Sequence, residues 1–104
     1  MAAINAVVDL DRDGDIAIVT VNSPPVNALS AAVRDGLAGA FAAVAADATL
    51  RAAVLICAGR TFIAGADISE FGKAPQGAPL PAVQDAMEGA RIPVIAAIHG
   101  TALG

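Results

Sequence analysis

The sequence predicts an α/β fold, in which strands alternate with helices after an opening hairpin. Three observations predict it. Two β-prone runs, Ile4 to Leu10 and Ile16 to Val21, flank Asp13-Gly14, a dipeptide suited to a tight hairpin turn because its residues tolerate positive φ. Further on, apolar residues recur at helical spacing, first at Val33, Leu37, Ala40, Phe41 and Val44, then at Val83, Met87 and Ala90. Each of those stretches is followed by a short unbroken apolar run, Ala52 to Cys57 and Val94 to Ile98, which reads as a buried strand.

Taken in order, the hairpin comes first. Its turn carries Asp9, Asp11, Asp13 and Gly14, which match the start of a calcium loop. Such a loop needs a bidentate Glu at its twelfth position, occupied here by Thr20, and helices on both sides. Strands flank it instead, so the aspartates predict a turn. Pro24 and Pro25 then end the second strand and stiffen an extended segment. Ser30 is placed to cap the first helix, which stops near Asp47, while Arg34 and Asp35 fall off the apolar stripe and read as a solvated face. Gly72 to Pro81, rich in Gly, Pro and Ala, reads as a mobile loop before a second helix over roughly Ala82 to Ala90, with Met87 in its core face. The strand Val94 to Ile98 runs into His99-Gly100-Thr101-Ala102-Leu103-Gly104. A glycine-rich turn behind a buried strand is a poor place to end a domain, and the chain reads as truncated.

Composition narrows the function classes. The chain has 104 residues, 57% of them hydrophobic, which fits one folded domain or part of one and excludes a disordered segment. It holds no Trp or Tyr and three Phe, so Val, Ile, Leu and Ala must build the core. A net charge of −4 without a basic cluster excludes the electrostatic footprint of a nucleic-acid binder. Cys57, the single cysteine, sits in an apolar run with no neighbouring His and reads as inert core in a reducing compartment. The N-terminus lacks signal-peptide features and no apolar run reaches the ~20 residues of a membrane span, which points to a cytoplasmic protein. His99, at the end of a predicted strand without a partner, reads as a packing or hydrogen-bonding residue.

Arg60 to Glu70 is the stretch that carries chemistry. Here the small residues Ala64-Gly65-Ala66 precede Asp67 and a helix-compatible segment. Small residues allow close approach of backbone to a ligand, and outward amides at such a turn can form an oxyanion hole. On these residues alone, a strand-to-helix connection that needs small residues only for packing is the simpler reading.

Four blocks in order resemble the crotonase superfamily, the enoyl-CoA hydratases and isomerases. They are Pro25-Val26-Asn27-Ala28-Leu29, the run Leu55 to Ile68 with Phe62 and Ala64-Gly65-Ala66-Asp67, Pro93-Val94-Ile95-Ala96-Ala97, and His99-Gly100 with Ala102-Leu103-Gly104. The wording around Pro25 is most similar to the hydratase end of multifunctional β-oxidation enzymes of the 3-hydroxyacyl-CoA dehydrogenase type; no dehydrogenase part is present here.

The resemblance implies a crotonase-like spiral of ββα units, of which residues 1–104 are the N-terminal portion, and an acyl-CoA thioester as substrate with no cofactor. It implies that the Ala66 amide is one half of a backbone oxyanion hole, and that Ala28, Ala64, Gly65, Asp67, Ile68 and Gly104 belong to the substrate and CoA site. The glutamates that serve the family as acid and base would lie beyond Gly104. Lys73, Arg34 or Arg60 would be the candidates for CoA phosphates, although surface charge is the simpler role for each. Asp67 is expected to serve its local turn and Glu70 to be solvated. Ile63 stands where the family usually has a small residue, a departure expected either to narrow the pocket or to alter chain-length preference. A binding-only acyl-CoA or protein module, and a crotonase-fold thioesterase or dehalogenase, are the alternative readings. Apolar surface left open for missing units predicts self-association or packing with the C-terminal part.

Overall fold

The computed structural model describes residues 2–103. Five strands form one sheet in the order β1-β2-β3-β4-β5, namely Ala2–Ala3, Val8–Asp13, Ile16–Val21, Ala52–Cys57 and Val94–Ala96. The first three pair antiparallel, and β3, β4 and β5 pair in parallel. Helix α1 (Ala31–Ala46) connects β3 to β4, and helix α2 (Leu80–Glu88) lies between β4 and β5. These are the strand-helix crossovers that parallel neighbours require.

The central strands alternate strictly. Ala17, Val19 and Val21 of β3 face inward and pair in register with Ala53, Leu55 and Cys57 of β4. Helix α1 covers that face with Val33, Gly36, Leu37, Ala40, Phe41 and Val44, the stripe expected from its spacing with Gly36 added. Burying side chains such as Leu37 and Phe41 contributes roughly 1.5–3 kcal/mol each. The Ser30 hydroxyl accepts from the Val33 amide at 3.3 Å, capping the helix as predicted. Gly36 is a packing requirement, since a Cβ there would sit 2.3 Å from Val8 Cγ2.

Several boundaries differ from the sequence expectation. Residues 4–7 bend instead of extending, because the Asn5 carboxamide oxygen accepts from the Val7 and Val8 amides at 3.1 and 3.0 Å. The hairpin turns on Gly14-Asp15, one residue later than Asp13-Gly14, because Asp13 still pairs with Ile16. Gly14 has φ +62 and Asp15 is not in the positive-φ region, the pattern of a turn with glycine at its first central position. Asp9, Asp11 and Asp13 all lie on β2, so no calcium-loop backbone forms. Helix α2 starts at Leu80, two residues before the expected Ala82, with Pro81 in its first turn where a missing N–H costs nothing. Strand β5 is shorter than expected and open to solvent: Ile95 is exposed, as an edge strand leaves it, and Ile98 is exposed beyond the strand's end. No described helix is long and apolar enough to cross a membrane.

Candidate functional site

The loop after β3 and the loop after β4 build the site together. Asn27 joins them. It is buried, at 3% exposure, in the left-handed region with φ +53, which Asn tolerates better than most residues. Its side-chain oxygen accepts from the Ser23 amide at 2.7 Å, and its nitrogen donates to the carbonyls of Ala58 and Thr61 at 2.9 and 2.8 Å. The next residues continue the junction. Leu29 N–H donates to the Gly65 carbonyl at 2.8 Å, and Leu29 pairs with Ala66 as a parallel bridge.

Between these loops runs a groove of about 390 Å³, lined by Ala28, Ala64, Ala66, Asp67 and Ile68 from the predicted set. Ser23, Pro24, Pro25, Val26 and Ser30 complete its walls. Gly65 does not line it; it is buried behind the wall with φ +88, the conformation that requires glycine at this turn. Gly104 lies outside the described residues. Among the described residues, the Ala66 amide donates to no acceptor, although its neighbours Gly65 and Leu29 are paired.

The fourth sequence block is laid along the second. Thr61 bridges to Gly100 and Thr101, Phe62 N–H donates to the Thr101 carbonyl at 2.8 Å, and Leu103 N–H donates to Ile63 C=O at 2.8 Å. A Cβ at Gly100 would lie 2.0 Å from the Arg60 carbonyl oxygen, so this approach requires glycine. The pairing carries residues 100–103 toward the Ala64–Ala66 segment.

The charged candidates divide sharply. Asp67 serves its local turn as expected: it caps the short 3-10 helix Ile68–Glu70, with its Oδ1 accepting from the Ser69 hydroxyl at 2.7 Å and the Ser69 amide at 3.0 Å. Those bonds, the hydroxyl first, hold its carboxyl below the ordinary carboxylate value. Glu70 and Arg34, by contrast, are not a solvated face. Arg34 Nη1 meets Glu70 Oε1 at 3.1 Å, and the same guanidinium donates to the carbonyls of Leu29, Gln76 and Ala78 at 2.6, 2.8 and 2.8 Å. Glu70 Oε2 accepts the Ala31 amide at 2.9 Å, satisfying a free N–H of the α1 N-terminus. Asp35 accepts from the Ala78 amide at 2.6 Å, so the loop expected to be mobile is fastened to α1 by three hydrogen bonds, two to Arg34 and one to Asp35. Sequence reasoning missed these partners because all but the Arg34–Leu29 contact join residues 36 to 44 positions apart. Lys73 and Arg60 are exposed and line no part of the groove.

Three further expectations resolve. Ile63 is not among the residues that line this groove; it is partly buried against the core beside Phe62. His99 hydrogen-bonds the Gly59 carbonyl through Nε2 at 2.7 Å and stands edge-on to Phe62, with ring centroids 6.5 Å apart. Cys57 is buried and free, and burial pushes its thiol up to about 11.

Comparison with known proteins fixes the family. Residues 11–104 match the family model described as Enoyl-CoA hydratase/isomerase. The chain belongs to that family. A Danio rerio protein named peroxisomal bifunctional enzyme is 42% identical over 89 residues, covering 86% of this chain and 12% of that protein. A Bacillus subtilis protein named probable enoyl-CoA hydratase is 36% identical over 104 residues, covering 93% of this chain and 40% of its own length. Among solved structures, an enoyl-CoA hydratase/carnithine racemase from Magnetospirillum magneticum superposes with a TM-score of 0.82 at 37% identity, covering 92% of this chain and 40% of that one. The α/β sheet described above is therefore part of a crotonase fold, and the chain spans less than half the length of each of these hydratase-family relatives.

Proposed function

We propose that this chain forms the acyl-CoA binding part of an enoyl-CoA hydratase of fatty-acid oxidation, with the Ala66 amide as one donor of a backbone oxyanion hole. The observation that carries the reading is the Ala66 N–H itself, without an acceptor among the described residues, on the wall of a groove held open by Asn27. In hydration, a water oxygen adds to C3 of the enoyl group. The π electrons then move onto the thioester oxygen as enolate charge, and a proton returns to C2. An amide fixed before the reaction stabilises that charge at little reorganisation cost, and one such donor is typically worth about 10²–10³ in rate.

Proton transfer needs other groups. The carboxylates nearest the groove, Asp67 and Glu70, are spent on Ser69 and on Arg34 with Ala31. The described residues therefore fit substrate binding and charge stabilisation, while base and acid must come from elsewhere. That favours, as second reading, a binding role for residues 2–103 alone. Titration with CoA and with a 2-enoyl-CoA, alongside loss of the enoyl thioester absorbance, tests both. Thioester binding with water addition is expected of the hydratase. Binding without turnover selects the second reading, and no binding of either ligand refutes both.

A further inference from the structure

Behind the Ala66 wall, the polar contacts close on themselves. Ala66 is paired with Leu29, and the Gly65 carbonyl takes the Leu29 amide at 2.8 Å. The Leu29 carbonyl in turn takes Arg34 Nη1 at 2.6 Å, and that same nitrogen meets Glu70 Oε1 at 3.1 Å. Glu70 is the end of the short helix that Asp67 caps directly after Ala66. The circuit Leu29, Ala66, Glu70, Arg34 thus returns to its start, and Glu70 also pins it to the first turn of α1 through the Ala31 amide. The pair is sheltered, with 14% of the Arg34 side chain and 33% of the Glu70 side chain exposed, so the contacts are charge-assisted and partly withdrawn from water.

We infer that Arg34 and Glu70 are positioning residues that hold the Ala66 amide at the orientation it needs toward a thioester oxygen. The inference deepens the functional reading above and rests on it. Neither residue lines the groove beside Ala64 to Ile68, and Arg34 lies on the other side of Ala66, where it lines a second cavity with Ala66 and Leu29. Both act through the backbone: Arg34 through the Leu29 carbonyl, Glu70 through the helix that follows Ala66. A guanidinium reaches three carbonyls and a carboxylate at once because its donors diverge in a plane. A lysine ammonium in the same place cannot reproduce that set.

The test uses the full protein and a conjugated dienoyl-CoA, whose absorption band moves to the red when its carbonyl is polarised by hydrogen bonds. Wild type, Arg34→Lys and Glu70→Gln are compared for CoA affinity, red shift of the bound probe, and thermal midpoint. The inference expects Arg34→Lys to lose most of the red shift while CoA affinity changes less than about threefold. A displacement of about 1 Å at a catalytic group costs on the order of 10²-fold in rate, and kcat should fall toward that size with KM nearly unchanged wherever turnover is measurable. Glu70→Gln keeps an acceptor for Ala31 and Arg34 and should fall between wild type and Arg34→Lys. If both variants polarise the probe as wild type does, the inference is overturned while the functional reading stands. It is equally overturned if affinity, red shift and thermal midpoint all fall together, which a purely structural clamp would produce. A wild type that neither binds nor polarises the probe removes the functional reading and this inference with it.

Discussion

Asn27→Ala removes the one buried polar side chain among the described residues, which ties the two loops of the groove. Three hydrogen bonds go with it, from the Ser23 amide and to the carbonyls of Ala58 and Thr61. At a net ~0.5–1.5 kcal/mol each, with the partners left short of a mate in a half-buried place, the loss comes to about 2–4 kcal/mol. Alanine is also worse than asparagine in the left-handed region that residue 27 occupies (φ +53), which adds about 1 kcal/mol. The expected total is roughly 3–5 kcal/mol, a large fraction of the stability of a domain this size. Urea unfolding followed by circular dichroism measures it directly. Asn27→Gly separates the two causes: it keeps the bond loss and relieves the backbone, so it should be milder than Asn27→Ala by about 1 kcal/mol. Because Ala28 and Ala64 stand on the segments that Asn27 joins, acyl-CoA affinity should fall with stability. Destabilisation by Asn27→Ala of less than about 1 kcal/mol, the value of a single exposed hydrogen bond, would refute the argument.

Three more outcomes are expected. Gly36→Ala normally favours a helix by up to about 1 kcal/mol, but the new methyl would meet Val8 at 2.3 Å, so overpacking should win by about 1–3 kcal/mol; a stabilised variant in urea unfolding would contradict this. Asp67 and Asp47 both have carboxyls depressed by Ser69 and Thr49 hydrogen bonds respectively, the hydroxyl contact leading in each case. A depressed carboxyl contributes stability above its unfolded value and loses it as pH falls through the folded one. The acid limb of a stability–pH curve should therefore flatten in Asp67→Asn and Asp47→Asn, and a limb as steep as wild type in both would exclude the assignment. Cys57, pushed up to about 11 and buried, should resist iodoacetamide at pH 8 in the folded protein and react fully in urea; rapid labelling of the native protein would show that the strand opens.

What could be read from the sequence was whatever depends on near neighbours. The α1 stripe and its Ser30 cap are set by spacings of three and four residues, and β4 by an unbroken apolar run of six residues. Ala28 and the Ala64 to Ile68 segment lie 36 positions apart, and only the order of the blocks in the family likeness, not any local pattern, suggested that they belong together. What could not be read depends on distant partners. Ile4 and Val7 have strand-forming side chains, yet between them the Asn5 side chain takes the Val7 and Val8 amides and bends the chain. Ile63 packs against the core beside the buried Phe62, and its size alone does not state which way it faces. Val94 to Ile98 has the composition of a central strand, but composition does not state whether a neighbour pairs on its outer side.

Helix α1 shows how these failures join. Its apolar face is an ordinary core face, and its polar face was read as solvated because charged residues off a stripe usually are. Instead, Arg34 and Asp35 hold the Gln76–Ala78 segment, and Gly77 runs so near that a Cβ would lie 3.0 Å from the Asp35 carboxylate. With φ +70 at Gly77, that turn demands glycine for both backbone and space. The Gly- and Pro-rich composition of residues 72–79 thus serves a fixed path over the helix. Helix α1 is consequently gripped on two sides, by the sheet through its apolar stripe and by the loop through its charges. Its N-terminus, held by Glu70, cannot shift without moving Leu29 and the Ala66 wall. Charge changes on what looks like solvent-facing helix should therefore be felt at the groove more strongly than changes to the exposed Lys73 or Arg60.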